Sequence, residues 1–485
     1  MSNAVHLETV PCRPAAPFWT LGGAFPGPWL ALLDSAHADG RLGRWSYLLP
    51  DPDLVVDARA GDGFCTVRRR GADGRWRDEN VPGDPTTVVR ALRAARGAPD
   101  PGDAPFPFRG GAVGWWGHGA GRFAEDLPET VPDRDGLPDL RLLFGDVLLA
   151  HRAHDGAVWL ACTGRGPDAA SARAAARALV RAWLPAVESW APPPAAPLPA
   201  APAPVAVRAD LDAGAYAAAV RAIQADILAG RVFEVNMTQT LETDLRADPW
   251  RLYRCLRAVN PAPFAAFLRT PEAAVVSSSP ERYLSLDADG RVESRPIKGT
   301  RPRHEDPARD AALRDDLAAS AKDRAENVMI VDLVRNDLGR VCGTGSVRVP
   351  ELCAVEGYAT VWQLVSTVTG RLRPGLDALD LLRACHPPGS MTGAPKIEAL
   401  KVIDERETCR RGVYAGGLGW WDDGGALDLH VVIRTAAVCG GVMRFGVGGA
   451  VTADSDPHAE YLESMDKARA LIRAAGLANA GYSAE

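Results

Sequence analysis

The stretch from 185 to 206, PAVESWAPPPAAPLPAAPAPVA, constrains this chain more than any other feature. Each proline fixes φ and removes a backbone N–H, so repeated proline denies the segment a helix or a place inside a sheet and favours an extended linker. The chain is thereby expected to divide into a first region, 1–184, and a second, 207–485. In the first, WSYLLP, LVVDAR, GDVLLAHRA and VWLACTG read as strands of an antiparallel sheet, and SARAAARALVRAWL as an amphipathic helix. In the second, AGAYAAAVRAIQADILAG has helical apolar spacing and stops at Gly230, a residue suited to a helix C-cap. Strand-like VFEVNMTQTLET, FAAFLR, AVVSSS, RYLSL, GLGWW, LDLHVVIRTAAV and MRFGVG follow, mixed with helical AKDRAENVMIVDLVRNDL and HAEYLESMDKARALIRAAG. Strand and helix are interleaved without the regular rhythm of a parallel βαβ array. The expected class is therefore α+β, a mixed or antiparallel sheet covered by helices.

Composition narrows the function. A chain of 485 residues with 47% hydrophobic and 24% charged residues can bury a sizeable core, and a net charge of -6 lacks the basic excess that a phosphate backbone requires. Nucleic acid is not an expected partner. The nine cysteines include no C-x-x-C pair, which argues for reduced thiols and against zinc or a disulfide framework. The opening MSNAVHLETVPCRP has neither a basic start nor an apolar run, and no stretch approaches the roughly 20 apolar residues of a membrane span. A cytoplasmic protein with no membrane partner is expected.

Several residues are candidates for chemistry. Asp323 and Glu326 lie three apart on one predicted helix, and Glu460 and Glu463 on another, so each pair shares a helical face. Alone, such a pair more often marks a solvated face bridged to Arg324 or Lys467. Brought together, four carboxylates repel unless a cation sits among them, and an oxygen-only set suits magnesium better than zinc. Lys298, in RPIKGTRPR, is a surface charge or, if enclosed with its pKa lowered, a nucleophilic amine. Glu281, after SSSP, is a capping acid or, in an apolar pocket, a general acid. Arg434, in LHVVIRT, reads as an arginine in a buried strand, which needs either an internal salt bridge or a ligand carboxylate. The glycines of YAGGLGW and FGVGGAV either approach an anion or mark bulges. In HPPGSMTGAPK, the segment from Gly389 to Lys396 is a plain loop or a cradle offering hydroxyl, N–H and ammonium groups.

Together SSSPERYL, RPIKGTRPR, AENVMIVDLVRNDLGRV, GSMTGAPK, YAGGLGWW, VVIRT and GGAVTADSDPHAEY follow, in order, the signature of the chorismate-binding enzymes. This family includes anthranilate synthases, aminodeoxychorismate synthases, isochorismate synthases and salicylate synthases. The first region, with ALLDSA and GRWSYLLPDP, also resembles that family. The resemblance implies a four-layer αββα sandwich of two packed antiparallel sheets. It implies magnesium bridging Glu326 and Glu463, with Asp323 and Glu460 close by, holding the ring carboxylate of chorismate. Tyr414 and Arg434, with backbone at Gly416, Gly417 and Gly449, would hold the enolpyruvyl carboxylate, with Thr300, Ser390 and Lys396 also at the substrate.

Within the family, the lysine of P-I-K-G-T is the feature of members that make 4-amino-4-deoxychorismate. By that resemblance Lys298 attacks ring carbon 2 as hydroxide leaves carbon 4, assisted by Glu281, and ammonia then adds at carbon 4 and expels the lysine. Water-using relatives have a lysine where this chain has Glu234. The chain departs from common family residues at Glu234, often glutamine in ammonia users, at Gln363, often histidine, at Trp420, often tyrosine, and at Ala450, often glycine. No G-x-C-x-G glutaminase loop is present, so a separate glutamine amidotransferase subunit is the implied ammonia source. Residues matching Leu33, Ser35, Pro263 and Phe264 border a tryptophan pocket in many relatives. Competing readings are an anthranilate or 2-amino-2-deoxyisochorismate synthase, and a non-catalytic chorismate or tryptophan sensor.

Overall fold

A computed structural model of the chain describes residues 4–37, 41–71, 73–99, 104–192, 198–358 and 361–481. Among these, two sheets of twelve strands each are built from antiparallel pairs. Both sheets draw on both sides of the proline-rich stretch. In the first, Leu30–Asp34 pairs with Phe264–Arg269, and in the second, Gly111–Trp116 pairs with Gly417–Asp422. The break at 185–206 is thus a break in the chain and not in the sheets. The helix Ala169–Glu188 also runs through Pro185, so the first residues of that stretch are helical, and Ala203 further along donates its N–H to the Gly476 carbonyl at 3.0 Å.

The strands read as nearly continuous apolar runs because both of their faces are covered. In Leu30–Asp34, Ala31 and Leu33 point into a core shared with Val113, Trp115 and Leu418 of the other sheet. Leu30 and Leu32 point the other way, against Leu252, Tyr253, Leu471 and Ala475 of the helices Pro249–Val259 and Pro457–Asn479. The second sheet is covered on its outer face by Ile330, Val334, Leu381 and Leu382. Helix, sheet, sheet, helix is the αββα sandwich expected. At about 25 cal/mol per Å² of buried apolar surface, these three cores supply the main favourable term in folding.

LDLHVVIRTAAV, read as one strand, is two. Leu427–Val431 belongs to the second sheet and Thr435–Cys439 to the first, and the chain crosses between them at Arg434, whose φ is +51°. A run of β-formers carries no local mark of such a crossover, which only the packing of two sheets requires. Among the described residues, no helix is long and apolar enough to cross a membrane.

Candidate active site

Lys298 enters from the strand Ile297–Pro302, whose pairing with Val361–Arg371 slips between Ile297 and Thr300. Gly299, at φ +83°, makes the kink that a residue with a Cβ would resist. The lysine is 9% exposed, and its Nζ donates to Glu234 Oε1 at 2.6 Å. Glu234 is fully buried at the start of Glu234–Asp244 in the other sheet, so this ion pair bridges the two sheets. Among the described residues its second oxygen, Oε2, has no hydrogen-bond partner. Enclosure of Lys298 is as a nucleophile requires, but its pKa is not. Burial lowers it, while Glu234, Glu326 and Glu281 more than offset the burial and hold it above the ordinary lysine value. At rest the group is an ammonium.

Glu281 follows the strand Ala273–Ser279 and is 4% exposed. Burial pushes its carboxyl up to about 7, against the opposing hydrogen bonds from Ser390 and the Ile297 N–H and the charge of Lys298. A carboxyl with that affinity can donate a proton at neutral pH. Ser390, expected at the substrate, is thus placed on the acid.

The two carboxylate helices begin where sequence chemistry starts them. Ser320 caps Ala321–Gly339 through the Asp323 N–H, and Asp456 caps Pro457–Asn479 through His458 and Ala459. Glu326 is buried with Oε1 lacking a hydrogen bond, and burial raises its pKa to about 7. Glu460 is also buried and raised, chiefly by burial, with Ser455 donating to its Oε1 at 2.8 Å. Glu463 is half exposed. There burial acts upward, but the ammonium of Lys467 at 2.8 Å holds the carboxyl below its ordinary value. A Cβ at Gly449 would meet Glu460 Oε2 at 3.0 Å, so the glycine leaves room for the carboxylates. Lys322 Nζ lies 3.8 Å from Glu326 and 3.5 Å from Glu460, a positive charge standing where a cation would serve both. The donor set fits magnesium: all oxygens, one of them buried without a hydrogen bond among the described residues. Among the described residues, no three ligands already converge on one point. Asp323, expected close to this set, pairs with Arg301 at 3.1 Å.

Arg434 Nη1 donates to the Lys467 carbonyl at 2.7 Å, and burial holds its pKa below the ordinary value. Among the described residues no carboxylate pairs with it, so the internal salt bridge is not what occupies it. Tyr414 lies against Gly446, where a Cβ would come within 2.2 Å of its ring. Gly416 and Gly417 are required by packing, since a Cβ would fall 2.1 Å from the Trp116 carbonyl oxygen and 2.9 Å from the Tyr283 ring respectively. Gly448 and Gly449 sit in regular pairing with Thr238 and Met237, without a bulge. Thr300 is exposed, opposite Gln363. Lys396 corrects an expectation. Its ammonium donates to Asp337 at 2.6 Å and to the carbonyls of Cys385 and Pro387 at 2.6 and 2.9 Å, so its three protons fix the loop and none is left for an anion.

A model of the family described as chorismate binding enzyme matches residues 64–473. The chain belongs to the chorismate-binding enzymes. It is 41% identical over 482 residues to an aminodeoxychorismate synthase of Streptomyces pristinaespiralis, covering 99% of this chain and 66% of that protein. The chain therefore spans about two thirds of that relative's length. It is 37% identical to aminodeoxychorismate synthase component 1 of Klebsiella aerogenes, covering 96% of this chain and 98% of that one. Among solved structures it resembles anthranilate synthase component I from Streptococcus pneumoniae, with a TM-score of 0.75 and 28% identity over 89% of this chain and 92% of that one.

This chorismate-binding enzyme has a second recess. Leu33, Ser35, Pro263 and Phe264 share a cavity of about 410 Å³ with Tyr47, Arg282, Trp420, Asp428 and His430. Trp420 belongs here, stacked on Phe108 at 5.2 Å, and not beside Lys298. Sequence reasoning missed the buried supports of the cleft. Arg411 bonds Glu407 and the carbonyls of Met391 and Asn236, tying the loop at 389–394 to the strand that carries Glu234. A charged residue in CRRGVY carries no signal of its burial.

Proposed function

We propose that this enzyme converts chorismate and ammonia to 4-amino-4-deoxychorismate. The observation that carries the reading is Lys298, enclosed in the cleft between Glu234 and a carboxyl, Glu281, able to act as an acid at neutral pH. The names of the Streptomyces and Klebsiella relatives support it. In this reading Arg434 and Tyr414 hold one carboxylate of the dianion, Glu281 protonates the departing 4-hydroxyl, and Lys298 forms the transient bond at carbon 2. Glu326, Glu460 and Glu463 would hold magnesium. Bound there, the ion would draw charge from the ring carboxylate and so ease loss of the hydroxyl.

Ammonia would come from a glutamine amidotransferase partner, a reading that the component 1 name of the Klebsiella relative supports. The cavity around Phe264 is of a size to take a tryptophan side chain between Trp420 and the polar groups of Arg282 and Asp428. The cysteines, all free and eight of the nine buried, suit a reducing cytoplasm.

Product identity tests the reading. The purified chain, incubated with chorismate, magnesium, ammonium and aminodeoxychorismate lyase, is expected to yield p-aminobenzoate only when magnesium and lyase are both present. Anthranilate, or an amino isomer that the lyase cannot use, would place amination at carbon 2 and overturn it.

A further inference from the structure

Lys298 is held as an ammonium by the carboxylates around it, and an ammonium has no lone pair with which to attack a ring carbon. Three carboxyl groups act on it: Glu234, Glu281 and Glu326. Glu281 is needed as a proton donor in the reading above, and Glu326 lies 3.8 Å from Lys322, one turn back on its own helix, Ala321–Gly339. Only Glu234 hydrogen-bonds the lysine, at 2.6 Å, the separation across which a proton passes directly between heavy atoms. Among the described residues its Oε2 is buried with no hydrogen-bond partner. Moving the proton from Nζ to the carboxylate replaces two buried charges by two neutral groups. That exchange becomes more favourable once substrate fills the cleft and removes the remaining water.

We infer that Glu234 is the general base that activates Lys298. The inference rests on the amination reading above and adds a catalytic residue to it. The proton on Nζ passes to Glu234, and the free amine forms a bond to carbon 2 as the carbon 4–oxygen bond breaks and the hydroxyl leaves as water with the proton of Glu281. Ammonia then bonds to carbon 4, the carbon 2–nitrogen bond breaks, and Lys298 leaves as an amine that takes its proton back from Glu234. The new carbon 4 ammonium returns a proton to Glu281. The balance is chorismate plus ammonia giving aminodeoxychorismate plus water, with every enzyme group restored.

A glutamine at this position accepts the hydrogen bond but not the proton. Glu234→Gln is therefore the discriminating variant. Assayed as the whole chain with chorismate, magnesium, saturating ammonium and lyase, it is expected to lower kcat by about 10²–10⁴-fold at neutral pH while KM for chorismate changes little. The deficit should shrink as pH rises, because solvent base then supplies the free amine. Glu281, Glu326, Lys322, Glu460 and Glu463 face the same cleft and remain in both proteins, so the difference between the two pH profiles isolates Glu234. Glu234→Asp, which keeps a carboxylate, should recover part of kcat with the wild-type profile, and near-ultraviolet circular dichroism of both variants confirms their packing. A Gln variant within a few-fold of wild type, with an unchanged profile, would reduce Glu234 to a positioning residue and overturn the inference. A wild-type chain that makes anthranilate overturns the amination reading and this one together, which separates the two failures.

Discussion

Two recesses lie on either side of a single peptide bond, for Glu281 faces Lys298 and Ser390 while Arg282 lines the cavity with Phe264. In the cavity, none of the described lining side chains has a buried polar atom without a hydrogen-bond partner. Arg282 is paired with Asp428 and Glu293, and Ser35 donates to the Trp45 carbonyl. In the cleft, Glu234 Oε2, Glu326 Oε1 and, on the neighbouring strand, Gln363 Oε1 are buried and accept no hydrogen bond among the described residues. A buried unpaired acceptor costs about 1–3 kcal/mol. The cavity is satisfied by its own hydrogen bonds and ion pairs, whereas the cleft keeps buried carboxylate oxygens without hydrogen bonds, as the proposed reaction and metal would use.

Four experiments press on that contrast. Lys298→Ala should reduce p-aminobenzoate formation below detection while leaving the thermal midpoint near wild type or lower, since Glu234 then loses its counter-charge. Retained turnover would show that the cleft does not act through the lysine. Glu326→Gln should raise the magnesium concentration needed for half-maximal activity by more than the roughly 10–100-fold that loss of an outer-shell partner causes. An unchanged magnesium requirement would remove this carboxylate from the site.

The third concerns pH. Glu281 titrates near 7, raised by burial, and an acid catalyst must hold its proton. The kcat/KM profile should accordingly fall as pH rises through about 7, and Glu281→Gln should abolish that limb together with most of the rate. A flat profile across this range in wild type would contradict the assignment. The smallest effect on chemistry is expected in the cavity. Trp420→Ala removes a buried ring and should cost about 3–5 kcal/mol of stability by denaturant unfolding, with kcat at a permissive temperature altered only a few-fold. If kcat collapsed while stability held, the two recesses would not be separable.

The two recesses also differed in how far they could be read in advance. The αββα class was legible, and motif order with helical spacing singled out Lys298, Glu281, Glu326, Glu460 and Glu463 as candidates, which the fold brings within electrostatic reach of one another. The grouping of Leu33, Ser35, Pro263 and Phe264 was legible from resemblance alone, since nothing local marks residues that meet only when Leu30–Asp34 pairs with Phe264–Arg269. Lys396 was misjudged because its partner, Asp337, lies on another helix 59 positions away. Arg434 was placed inside a strand because crossing between sheets leaves β-formers on both sides. Asp323 kept the right helix but faces Arg301, one residue past the Gly299–Thr300 kink, and such facing depends on a register slip that spacing cannot show.

The central claim is that chemistry passes through Lys298 in the cleft. Its most direct test is intact-protein mass spectrometry of the chain after incubation with chorismate and magnesium in the absence of ammonia. The account predicts a population heavier by chorismate less one water, mapped by peptide analysis to Lys298 and lost on adding ammonium. Amination at carbon 4 at full rate with no such adduct, or with Lys298→Ala still active, would contradict it.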